Sequence, residues 1–176
     1  VKRKSVVMVG RLFKKLEEFL LPERGADDGG RYLEPVDVLQ LIHQRILQLA
    51  QQIESHAELA PYPQVAERLR QIADDKRDIG NRLKEIIEKL HGSIKERSQR
   101  PATGKNHWQR LIRDLEDQKA LDDLLSRYEF TLTRQAPEIA AFLRELTSIQ
   151  ERHSRSLTQL IAVADKLVVR GQAGDA

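Results

Sequence analysis

The sequence predicts an all-α protein, a four-helix bundle of two antiparallel helical hairpins joined by a long crossover, with a short amphipathic helix in front. Three observations predict it. Apolar residues recur in alternating steps of three and four along four long segments. Links of a few residues bearing proline separate the first segment from the second and the third from the fourth. Charged residues make up 32%, hydrophobic residues 40% and aromatics only 5%, which suits long helices with one wet face and an aliphatic core.

Residues 5–21 form the short helix, with Val9, Leu12, Phe13, Leu16, Phe19 and Leu20 on one side and Lys14, Lys15, Glu17 and Glu18 on the other. Pro22 stops it, and Glu23 to Gly30 reads as a flexible linker, so residues 1–34 stand apart from the bundle at 35–170. The first bundle helix spans about 35–60 on the stripe Leu39, Ile42, Ile46, Leu49, Ile53, His56 and Ala60. After Pro61-Tyr62-Pro63 the second spans about 63–91, on Val65, Leu69, Ile72, Lys76, Ile79, Leu83, Ile86 and Leu90. Pro63 suits its first turn, and Lys76 is the one polar residue of that stripe.

Gly92 to Lys105 reads as a loop long enough to run the length of a bundle about 40 Å tall. Asn106 is a natural N-cap for the third helix, about 106–134, which carries Trp108, Leu111, Ile112, Leu115, Leu121, Leu125, Tyr128 and Leu132. Its stripe is weakest around Gln118 and Asp122. The fourth helix, about 136–170, opens at Pro137 and carries Ile139, Phe142, Leu146, Ile149, His153, Leu157, Leu160, Ala164 and Leu167. Residues 171–176 read as a frayed tail.

Composition excludes several kinds of chemistry. The chain has no cysteine, so it has no disulfide, thiolate metal site or cysteine nucleophile. Thirty basic and 27 acidic residues are interspersed to a net charge of +3, which is not the footprint of a nucleic-acid binder. No apolar run approaches the roughly 18 residues of a membrane span, and Arg11, Lys14 and Lys15 interrupt the start too early for a secretory signal. A cytoplasmic location is expected. No phosphate loop or nucleophile elbow is present. Asp74-Asp75 and Asp122-Asp123 are neighbours whose side chains diverge around a helix, as on solvated faces.

The two halves align at an offset of 74. Pro63-Gln64-Val65-Ala66-Glu67-Arg68-Leu69-Arg70-Gln71-Ile72 lies over Pro137-Glu138-Ile139-Ala140-Ala141-Phe142-Leu143-Arg144-Glu145-Leu146, and Leu41, Gln44 and Leu47 lie over Leu115, Gln118 and Leu121. Proline register and the repeated Leu-Arg-x-[Ile/Leu] favour a duplicated hairpin.

Hairpin, crossover and hairpin with internal duplication resembles the ferritin-like superfamily of rubrerythrins and bacterioferritins, over residues 35–168. That resemblance implies a di-iron or di-manganese centre built from one Glu on each of two helices and Glu-x-x-His on each of the others. One register respects the duplication, the stripes and the family's spacing. It puts the ligand positions at Gln44, Lys76, Ile79, Gln118, Gln150 and His153. They hold no carboxylate, one imidazole and an ammonium, whereas a hard dinuclear centre needs several carboxylates. The expectation is therefore no metal and no cofactor, with Lys76 as the central positive charge and Asp122 as its counter-charge. A register shifted by one would instead bring in Asp75-x-x-Asp78, off the core stripe.

His43, His56, His91 and His107 have no zinc spacing. His153 is expected as an interior histidine, His56 near a bundle end within reach of water, and Trp108 as the anchor closing the crossover onto the bundle. The sequence reads best as a non-catalytic structural or interaction module. A protein partner or self-association through residues 1–21 comes first and a membrane surface second, with Lys2, Arg3, Lys4, Lys14 and Lys15 at the headgroups. The alternative is a divergent rubrerythrin-like metal or oxidative-stress protein using His153.

Overall fold

The structure, a computed structural model, describes residues 34–94 and 104–172, with side chains described as far as Ala164. The segment 5–21, its linker, the middle of the crossover and the residues beyond 172 lie outside the described residues. Four helices make up the fold: α1 (Pro35–Glu58), α2 (Pro63–Lys89), α3 (His107–Leu132) and α4 (Pro137–Gln172). They lie within two residues of the predicted spans.

Each helix starts where the chemistry allows. Proline occupies the first turn of α1 and of α2, where its missing N–H removes no helical hydrogen bond. At α3 the Asn106 carboxamide caps the helix, accepting from the Gln109 N–H at 2.8 Å. The end of α2 is a Schellman closure, with the Gly92 N–H donating to the Ile87 carbonyl at 2.8 Å and the His91 N–H to Glu88 at 3.0 Å. His91 carries the left-handed turn, at φ 59°. Gly92 meets a different demand: a Cβ there would lie 2.6 Å from Val36 Cγ1.

The short links fold α1 against α2 and α3 against α4 as antiparallel hairpins, and the two hairpins also meet where α1 packs on α3. Their ends fix the wiring. Gly92 abuts Val36, at the start of α1. On the far side of residues 95–103, the Arg110 guanidinium holds the Gly104 carbonyl at 3.2 Å and the Leu59 carbonyl, beyond the end of α1, at 3.1 Å. The chain thus leaves α2 at one end of the bundle and enters α3 at the other. Neighbouring helices run antiparallel, while α2 and α3 lie diagonally opposite and parallel.

The apolar stripes meet along the axis. Leu39, Ile42, Ile46 and Ile53 of α1, Leu69, Ile79, Leu83 and Ile87 of α2, Leu111 and Leu125 of α3, and Leu143, Leu146 and Leu157 of α4 are all fully enclosed. No helix among the described residues is long and apolar enough to cross a membrane.

Two expectations need correction here. Trp108 is 40% exposed rather than enclosed. The inward face of α3 is set by Leu111, Asp114, Gln118, Leu121 and Leu125, which leaves Ile112, Leu115 and Tyr128 only half-buried, and Arg110 rather than Trp108 fastens the crossover. His56 does not reach water either. It is 2% exposed and engaged by a carboxylate.

Candidate functional site

Halfway along α2, the stripe that delivers Leu69, Ile72 and Ile79 to the core delivers Lys76 as well, and its side chain is completely enclosed. A lysine in hydrocarbon needs acceptors for its ammonium. Lys76 Nζ donates to Gln118 Oε1 at 2.6 Å and to Gln150 Oε1 at 2.7 Å. These come from the diagonal helix α3 and from α4, so one amine ties three helices together at the bundle midpoint.

The amides are held in turn. Gln118 Nε2 donates to Asp122 Oδ1 at 2.8 Å, and Ser154 Oγ donates to Asp122 Oδ2 at 2.7 Å. Asp122 is therefore not in contact with Lys76. It stands behind Gln118, and among the carboxylates it is the foremost in favouring the Lys76 charge, ahead of Asp114 and Asp75. Gln150 Oε1 also faces Gln118 Nε2 at 3.4 Å and His153 Nδ1 at 3.3 Å, while Gln150 Nε2 is buried with no hydrogen-bond partner. The lysine dictates that orientation, because a flipped amide would turn its NH2 onto the ammonium. On its far side, His153 Nε2 lies 3.5 Å from Asp75 Oδ2 near the surface.

Burial dominates the electrostatics. Desolvation brings the Lys76 pKa down from 10.5 to about 7 against the pull of the three carboxylates. His153 is lowered from 6.5 to about 4, first by burial and then by Lys76. Burial raises the Asp122 carboxyl, opposed by hydrogen bonds from Ser154 and Gln118 and by Lys76.

The positions singled out in the sequence thus divide. Lys76, Gln118, Gln150 and His153 converge in one polar layer, with Asp122 attached through Gln118. Ile79 is a core side chain. Gln44, on α1, is half-buried. An ammonium with two amide oxygens around it and a single imidazole beside it does not fit a dinuclear metal, because its central position is cationic and the nearest carboxylates, Asp122 and Asp75, stand behind Gln118 and His153. Among the described residues, no group of three or more His, Cys, Asp or Glu side chains is arranged to hold a metal ion.

A second buried cluster, toward the α1–α2 turn, was not foreseen. Asp114 is fully enclosed, and its Oδ1 takes His56 Nδ1 at 2.8 Å and Gln52 Nε2 at 3.0 Å. Gln52 Nε2 reaches Asp117 Oδ2 as well, at 2.9 Å. Asp114 Oδ2, both ring nitrogens of His107 and Arg110 Nε are buried there without a hydrogen-bond partner. His107 is held below its ordinary value, by burial first and by Arg110 next. The signal for Asp114 was its spacing, three residues after Leu111 and four before Gln118, on the inward face of α3. No protein-family model matches the chain, and no curated protein sequence matches it.

Proposed function

We propose that this chain is a non-catalytic helical bundle of ferritin-like descent that works without a di-metal centre, as a structural or protein-interaction module. One observation carries the reading. Lys76 Nζ sits between Gln118 Oε1 and Gln150 Oε1, at 2.6 and 2.7 Å, at the positions where the resemblance calls for metal ligands. A fixed ammonium there repels a dication and takes up part of its space, and it cross-links the helices that metals would otherwise join. Two further features support common descent. The chain crosses from one end of the bundle to the other between the hairpins. The partners Lys76 and Gln150 are separated by 74 residues, the offset of the internal repeat.

As an interaction module the bundle would engage its partner, or a second copy, through residues 1–21, in keeping with their amphipathic pattern. The deciding experiment is metal analysis by mass spectrometry on protein purified without chelator and again after Fe(II) or Mn(II) loading, with thermal melts alongside. The expected result is no stoichiometric metal and an unchanged melting temperature. About two metals per chain with a raised melting temperature would defeat the proposal.

A further inference from the structure

Among the described residues, seven of the eight buried polar or charged side chains, Gln52, His56, Lys76, Asp114, Gln118, Gln150 and His153, take part in contacts that join one hairpin to the other; His43 is the exception. The seam between hairpins therefore carries the buried polar groups, set into the aliphatic core that all four helices share. It has two unlike edges. Along one, α1 packs closely on α3, and Gln52 and His56 both grip Asp114 within 3.0 Å. Along the other, α2 and α4 do not approach as closely. Long side chains span that edge: Arg68 Nη2 to Ser156 Oγ at 3.1 Å, Lys76 Nζ to Gln150 Oε1 at 2.7 Å, and Asp75 Oδ2 to His153 Nε2 at 3.5 Å.

We propose that the bundle works as a clasp, in which α1 and α3 form the hinge, the gap between α2 and α4 is the mouth, and the two hairpins swing apart as intact units to admit solvent to the Lys76 layer. The physical argument is what each edge loses on opening. Water replaces a polar bridge at small net cost, because the hydrogen bonds are exchanged rather than abolished. Lys76 regains hydration that no contacting carboxylate supplies in the closed form, and the buried Gln150 Nε2 gains the partner it lacks. The hairpin interfaces, packed along their lengths with aliphatic residues, gain nothing from water. Of the edges of the bundle, the mouth is thus the one that gives up the least close packing on opening. The inference rests on the seam alone and holds whatever the ancestry of the bundle.

The test is double electron–electron resonance on the full chain, which has no cysteine of its own to compete for labels. One pair of labels, at Glu67→Cys and Thr158→Cys, spans the mouth; another, at Gln51→Cys and Glu116→Cys, spans the hinge. The clasp predicts a second, longer distance for the mouth pair and a single narrow distance for the hinge pair. The variant Lys76→Met with Gln118→Leu and Gln150→Leu, which replaces the polar bridge by hydrocarbon, is expected to reduce the long component about tenfold or more. Equal narrow distributions at both edges, equal broadening at both, or a long component that survives the triple variant would overturn the proposal. Should the triple variant not fold, the comparison of mouth with hinge in the otherwise native chain still decides.

Discussion

Lys76 sets an unusual sign for the response to pH. Its pKa in the folded chain is lowered, so between about 7 and 10.5 the unfolded chain holds the proton that the folded chain has shed. Stability therefore rises with pH across that window, by up to about 1.4 kcal/mol per unit, and is lost as pH falls toward 7. His153 adds the same sign between about 4 and 6.5. Urea midpoints measured from pH 7 to 10 should climb in the native chain and climb less in Lys76→Met, the difference isolating the lysine. Lys76→Met alone leaves Gln118 Oε1 without its donor, which offsets much of the gain from removing a buried ammonium. Combined with Gln118→Leu and Gln150→Leu it should raise stability by about 1–4 kcal/mol in the same assay. At the other cluster, Asp114→Ala strips His56 and Gln52 of their shared acceptor and should cost about 3 kcal/mol, with a coupling above about 1 kcal/mol in a double-mutant cycle with His56→Ala. Lys76 was legible from sequence because one polar residue interrupted a stripe of aliphatics. Asp114 was not, since the apolar residues Ile112 and Leu115 beside it suggested a face rotated away from the true one.

At the scale of the element, the helix ends carry the testable chemistry. His91 is exposed and sits at φ 59°, a backbone region costly for any side chain with a Cβ. His91→Gly should stabilise the bundle by about 1 kcal/mol, read as a higher urea midpoint with an unchanged slope. Gly92→Ala should act in the opposite direction by about 1–3 kcal/mol, because its methyl would press on Val36 Cγ1 and Ile87 Cγ2, 2.6 and 2.7 Å away. The helices were predicted almost to the residue because prolines and Asn106 mark their starts and the apolar period marks their length. The role of Trp108 was misread for a local reason. Being large and apolar argued for burial, but in the first turn of α3, at the end of the bundle, it has solvent on one side and 40% of it stays exposed.

For the whole molecule, the sequence specified four helices and two hairpins because short links leave little choice of direction. It could not specify how polar residues divide between the two interfaces, since period alone says which side chains point inward and nothing of which helix they meet. That division shapes the energetics. Within each hairpin the separations begin as low as 15, at Arg144 and Glu129, and reach 56 where Gly92 meets Val36, whereas the polar contacts across the seam join residues 42 to 88 positions apart.

The order of synthesis gives the polar seam another use. The first hairpin is complete while most of the second is still unmade, and for that interval the face holding Lys76, Gln52 and His56 has no partner. An aliphatic face in the same position would be an adhesive surface on every unfinished copy. A lysine, a glutamine and an imidazole set among Leu39, Ile46, Leu69 and Ile79 take up water instead, so the groups that later align the two halves first make the unfinished face less adhesive than an all-aliphatic one would be.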